Sequence, residues 1–149
     1  MLIKDVMSRK VITIPPKYSF TQILELFKKY DITGAPVVDK HGKVLGIISE
    51  KDLIYALFPK QKEFYRNMEY YMTDSRREDA IKDVVKLNAS KIMRKKYIFV
   101  KPDDHILTAC SQLLIHNIRR LLVMDKRHLV GIVTTNDVFK NYLTHLINK

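Results

Sequence analysis

Gly46-Ile47-Ile48-Ser49-Glu50-Lys51-Asp52 returns 85 residues later as Gly131-Ile132-Val133-Thr134-Thr135-Asn136-Asp137. Each copy reads glycine, two β-branched apolar residues, a hydroxyl, two variable positions and an aspartate. The β-branched run predicts a strand. A hydroxyl three residues before an acid predicts that this strand runs straight into a capped helix. The hydroxyl accepts from a free backbone N–H, and the carboxylate reaches back to the cap residue. The acid also sits in the first turn, where the helix dipole favours negative charge. One such junction is ordinary. Its recurrence marks the stretch as the candidate ligand site.

The surroundings of the two copies also correspond. Lys4-Asp5-Val6-Met7-Ser8 is expected to form a helical turn, and Val11-Ile12-Thr13-Ile14, ahead of Pro15-Pro16, an extended segment. Ser19 with Gln22 three residues on is a capping box. It opens a helix whose Phe20, Ile23, Leu24, Phe27 and Tyr30 define an apolar face. Pro36-Val37-Val38 and Val44 to Ile48 flank a turn-rich stretch and predict a β-hairpin. Ser49 begins a helix with Leu53, Ile54, Leu57 and Phe58 on its apolar side. In the second half, Lys91-Ile92-Met93 matches the first turn and Tyr97 to Pro102 the extended segment. Asp103 or Asp104 is expected to cap a helix carrying Ile106, Ala109, Cys110 and Leu113. Leu121 to Asp125, matching Ala35 to Asp39, is expected to open a second hairpin, its loop one residue shorter, that leads into Gly131 to Asp137. The closing helix carries Val138, Phe139, Tyr142, Leu143 and Leu146. The order describes two copies of a βαββα-like unit, each of about 55 residues and too small to bury much alone.

Three segments follow: repeat 1 at residues 1–58, an insert at 59–88 and repeat 2 at 89–149. In the insert, Phe64, Tyr65, Met68, Tyr71 and Met72 fall on one helical stripe. Ser75-Arg76-Arg77-Glu78 opens a further helix through Ile81, Val84, Val85 and Leu87. Such a stripe predicts packed structure, against this chain or a partner copy, rather than a flexible tether.

The composition, 46% hydrophobic and 29% charged over 149 residues, is that of a globular protein. No apolar run approaches the ~20 residues that span a bilayer, and the first residues lack a signal-peptide core. A cytoplasmic location without membrane insertion is expected. The lone cysteine, Cys110, is expected on a core-facing helix side. The net charge of +11 favours acidic partners. His41, His105, His116, His128 and His145 show no metal spacing, and neither a glycine-rich phosphate loop nor a Ser–His–Asp arrangement is present. No catalytic residue, metal or catalytic cofactor is assigned, and an enzyme is not expected.

With Ile32-Thr33-Gly34-Ala35-Pro36-Val37-Val38-Asp39 set before Gly46 to Asp52, the chain resembles a tandem pair of cystathionine-β-synthase (CBS) domains, a Bateman module. The resemblance spans roughly residues 2–58 and 89–146. The second copy departs from the pattern, with Arg119-Arg120-Leu121-Leu122 where the first has Thr33-Gly34-Ala35-Pro36. The resemblance implies an α+β fold of two βαββα-type repeats packed pseudo-symmetrically through their sheets, here with a helical insert. It further implies a regulatory, nucleotide-binding role as a stand-alone sensor, taking AMP, ADP, ATP or S-adenosylmethionine in clefts between the repeats. A homodimer and a regulated protein partner belong to the same expectation.

Carried over residue by residue, the resemblance gives Asp52 and Asp137 the ribose diol, since a carboxylate can accept from both hydroxyls. Ser49 and Thr134, with Asn136 beside the latter, lie near the ribose or phosphate. Thr13, Ile14 and Pro15, and Ile98, Phe99 and Val100, meet the adenine; Gly34 and Ala35 allow close approach. Consecutive strand residues face opposite ways, so at most one of Arg119 and Arg120 is expected to reach a ligand, and Arg120, which stands in place of the close-approach glycine, is preferred as a phosphate partner. The two sites are expected to be unequal, the second favouring more phosphate charge. Two alternatives stand beside this. One is a nucleic-acid-binding module using basic residues 91–101 and 119–128 with Tyr97 and Phe99 interleaved, although Phe99 is expected in the core. The other is a structural subunit with vestigial clefts that binds a partner through the insert.

Overall fold

The computed structural model describes residues 1–57, 66, 68–71 and 81–148. Phe58, Phe64, Tyr65, Met72 and the capping box at Ser75 to Glu78 lie outside the described residues. After a 3-10 turn at Ile3–Asp5, the elements run α1 (Phe20–Tyr30), β1 (Gly34–Val38), β2 (Val44–Ser49), α2 (Glu50–Ala56), α3 (Met68–Tyr71) and α4 (Ala89–Ile92). They continue β3 (Phe99–Val100), α5 (Ile106–Ile115), β4 (Arg120–Asp125), β5 (His128–Thr134) and α6 (Thr135–Val138). A π-helical turn at Phe139–Leu143 and α7 (Thr144–Ile147) complete the chain. This is a mixed α+β fold built from two similar repeats. No described helix is long and apolar enough to cross a membrane.

The chain divides into two compact units, and each takes its leading segment from the other repeat. The first-motif unit comprises Ile12–Lys40 and Leu45–Lys96; the second-motif unit comprises Met1–Val11, His41–Val44 and Tyr97–Lys149. Backbone pairing explains the division. In the first-motif unit, Ile47 N donates to Arg94 O and Arg94 N to Ile47 O, both at 3.0 Å. In the second-motif unit, Ile132 and Ser8 exchange the same pair of bonds at 2.9 Å. The repeated glycine makes room for this bridge. A Cβ on Gly46 would lie 2.6 Å from Arg94 O, and one on Gly131 would lie 2.7 Å from Met7 Sδ and 3.0 Å from Ser8 O. The first residue of the motif is therefore a packing requirement in both copies.

Each unit has its own core. Ile14, Phe20, Ile23, Phe27, Val37, Ile48 and Leu53 are buried together in the first-motif unit. Ile3, Val100, Ile106, Ala109, Leu113, Leu121, Val123 and Val133 are buried in the second. Sheets form from β1–β2 and from β3–β4–β5. β3 lies parallel to β4, with Val100 opposite Val123; the first-motif unit has only a parallel bridge from Ile14 to Val37 in that place. β4 and β5 are antiparallel, with Arg120 opposite Thr134 and a register shift at Val123/Met124. The second hairpin turns through Lys126 (φ 45°) and Arg127 (φ 73°), both left-handed. Asn-Gly is the favoured pair for that geometry, and each side chain with a Cβ costs about 1 kcal/mol there.

Several expected faces shift. Leu24, Tyr30 and Ile54 are exposed, as are Phe139, Leu143 and Leu146 in the closing segment; a 3.6-residue apolar period does not distinguish a core face from one turned to solvent. Ile81, Val85 and Leu87 are exposed while Val84 packs on the first-motif core. Neither Asp103 nor Asp104 caps α5: His105 does, its Nδ1 accepting from Leu107 N. Asp104 instead accepts from Lys101 N, and Asp103 pairs with Lys4. Phe99, expected in the core, is 51% exposed because β3 turns it to the opposite side from buried Val100. Cys110 is half-buried against the second core, where burial raises its thiol pKa.

Candidate ligand site

Both strand-to-helix junctions form as capping boxes. Ser49 N and Oγ donate to Asp52 Oδ2 at 2.7 and 2.8 Å, and Asp52 N donates to Ser49 Oγ at 3.4 Å. Thr134 N and Oγ1 donate to Asp137 Oδ2 at 2.8 and 2.7 Å, and Asp137 N donates to Thr134 Oγ1 at 3.2 Å. In each copy the cap fixes one carboxylate oxygen and thereby the direction of the other. The local sequence alone accounts for this geometry.

The second oxygen separates the copies. Arg94 Nε donates to Asp52 Oδ1 at 2.8 Å, and the Asp52 side chain is only 10% exposed. Asp137 forms no ion pair with any described residue. The reason lies in the leading segments. Arg94 bridges to Ile47 just as Ser8 bridges to Ile132, so Ser8 stands where the arginine stands in the other copy, and its neutral hydroxyl supplies no positive charge. Arg94 was missed in the sequence because chain order places it in repeat 2, 42 residues past Asp52. The Met93-Arg94 against Met7-Ser8 difference was its available signal.

The other predicted residues distribute as follows. In the first-motif unit, Thr13 and Pro15 are exposed, flanking fully buried Ile14. Ile14 N donates to Pro36 O and its carbonyl accepts from Val38 N, so neither its side chain nor its N–H is presented to a ligand, correcting its assignment to adenine contact. Gly34 and Ala35 are buried in β1. The carbonyl of Thr33 accepts from Glu50 N, drawing the start of β1 to the start of α2. In the second-motif unit, Val100 is buried and Ile98 half-buried on the core. Arg120 is half-buried opposite Thr134, and Arg119 is exposed with its carbonyl accepting from Thr135 N. Arg120, Thr134 and Asp137 are thus brought together; Asn136 is exposed on the outer side of α6.

A model of the CBS domain matches residues 3–59 and 89–144. The chain belongs to the CBS-domain family. Its two CBS domains form a tandem pair, a Bateman module. An uncharacterized protein of Methanocaldococcus jannaschii, MJ1426, is 32% identical over 94% of this chain and 90% of its own length. Among solved structures, CBSX2 in complex with AMP has a TM-score of 0.74 at 24% identity, covering 99% of this chain and 98% of the other. The CBS domain pair of protein MJ0100, in complex with 5′-methylthioadenosine and S-adenosyl-L-methionine, has a TM-score of 0.70 at 24% identity, covering 97% and 98%. These two likenesses establish the fold. Two other curated relatives of Methanocaldococcus jannaschii are longer, and this chain spans 22% and 41% of their length.

Proposed function

We propose that this CBS pair is a regulatory module that binds an adenosine-containing ligand, AMP, ADP, ATP or S-adenosylmethionine, with Asp137 as its principal ribose contact. The carboxylate of Asp137 carries the reading: Thr134 holds one oxygen, and no described cation engages the other. An ionised carboxylate so oriented accepts from a ribose diol. Arg120, across the strand pair from Thr134, supplies charge for a phosphate. The half-buried side chain of Ile98 suits a base. Two structural relatives whose complexes contain AMP or S-adenosylmethionine support the ligand class.

The ligand acts by binding two arrangements of the module with different affinity; a coupling of about 1–3 kcal/mol is the usual scale. A second copy of the chain is the natural cover for the exposed apolar side chains of α2 (Ile54, Tyr55) and of the closing segment (Phe139, Leu143, Ile147), and light scattering with and without ligand reads whether assembly changes. Calorimetry with the four ligands tests the core of the proposal. Saturable binding of at least one is expected, and no heat from any of them at millimolar concentration would overturn it.

A further inference from the structure

A cavity of about 1000 Å³ opens in the second-motif unit where the tips of the two hairpins meet the extended segment before α5, and Asp137 is not among its described lining residues. Lys43, Lys101, Lys126 and Arg127 line it; among the described residues the one carboxylate of the lining is Asp125. Tyr97 and Phe99 line the same wall. With Lys101 they stand at alternate positions of one extended segment and so share a face. Successive members are about 6.6 Å apart. We propose that this basic, aromatic-walled pocket binds single-stranded nucleic acid.

Three observations lead there. The cations come from three separate segments of chain rather than converging on one point, which suits a run of phosphates better than a single one. The two rings on one side of that extended segment offer platforms for successive bases, and Phe99 is 51% exposed although it is the most apolar group on that wall; stacking on such rings is tolerant of base identity. The cavity is at the upper limit of small-molecule sites. The turn adds a fourth point: Lys126 and Arg127 occupy the left-handed positions where Asn-Gly is favoured, so two long cations are retained at the rim against local preference. A duplex does not expose base faces to the rings, whereas a single strand does.

The test is fluorescence anisotropy of the full chain with labelled 12-mers of oligo(U) and oligo(dT), and with a duplex of equal length, over a salt series. Single strands are expected to bind at least 10-fold more tightly than the duplex, with affinity falling steeply as salt rises. Lys126→Asn/Arg127→Gly removes both cations while improving the turn, so a loss of binding is not a loss of folding. It is expected to lower single-strand affinity about 10-fold and the salt slope by about 1 to 2, and to leave calorimetric binding of adenosine ligands unchanged. Phe99→Ala is expected to reduce the preference for single strands. Undetectable binding, equal affinity for the duplex, an unchanged double variant, or full displacement of the oligonucleotide by stoichiometric ATP would each overturn the assignment. An adenosine ligand bound normally alongside any of those outcomes leaves the regulatory reading standing.

Discussion

The two copies of the motif have the same capping chemistry and different neighbours. Asp52 is held by Ser49 on one oxygen and by Arg94 on the other; Asp137 is held by Thr134 on one oxygen, and Ser8 occupies the position equivalent to Arg94. The residues that make each acid a candidate ribose contact are local, but the residue that occupies or spares it arrives from a distant segment. Repetition of a motif therefore does not imply repetition of a site. In the first copy a guanidinium already plays the donor role that a ligand hydroxyl would play, whereas in the second copy no cation among the described residues pairs with Asp137.

The largest expected effects test the bridge that brings these segments in. Gly46→Ala forces a Cβ against the Arg94 carbonyl at 2.6 Å, a backbone atom that cannot swing aside, and a loss of about 3 kcal/mol is expected. At Gly131 the nearest atom is the sulfur of Met7, at the flexible end of its side chain, and about 1 kcal/mol is expected for the same change. Urea unfolding of the two variants checks the order. Equal losses would mean that the two bridges are equally tight and would remove this part of the contrast.

Next in size is the binding asymmetry. Asp137→Ala is expected to weaken adenosine-ligand affinity about 30-fold, the loss of one charged hydrogen-bond set worth about 2 kcal/mol. Asp52→Ala is expected to change it less than about 3-fold, because Asp52 is already paired. Calorimetry on both variants decides between them, and a larger effect at Asp52 would invert the comparison.

Much of this was legible in the chain and some was not. The capping boxes at Ser19, Ser49 and Thr134 follow from residues three apart, and they form as written. Both hairpins were equally readable, because their signals are local. Arg94 was hidden because its partner is reached through folding rather than sequence, and Phe99 because strand alternation has a phase that a two-residue strand does not reveal. Leu24 and Ile54 were placed on core faces by periodicity, which reports that a face is apolar and not what covers it.

A smaller effect follows from exchanging the residues that distinguish the copies. Arg94→Ser is expected to open the first acid and raise the ligand stoichiometry from one to two per chain, with stability changed by about 1 kcal/mol or less because Arg94 is half exposed. Ser8→Arg is expected to lower affinity at Asp137 about 10-fold, or about 1.4 kcal/mol. Titration calorimetry reads both. Raising salt weakens a half-exposed ion pair, so the wild-type chain should begin to show the second binding event at high ionic strength. A stoichiometry of one in Arg94→Ser at every salt concentration would show that something other than the ion pair closes the first copy.

The smallest effect compares the two hairpin turns. The first is long enough to place a glycine, Gly42, at φ 79°, where the absence of a Cβ makes the left-handed conformation easy. The second is shorter and puts Lys126 and Arg127 in left-handed positions instead. Lys126→Asn/Arg127→Gly restores the preferred pair and is expected to raise stability by about 1 kcal/mol, whereas Gly42→Ala is expected to lower it by a similar amount. Because a Cβ at Gly42 meets nothing within 4 Å, its loss isolates backbone conformation from packing. Opposite signs in urea unfolding would establish that the second turn keeps its cations at the expense of local stability. Matching signs would mean that the Lys126-Arg127 turn is favoured by contacts of its own side chains, and its basic rim would then need no binding role to explain it.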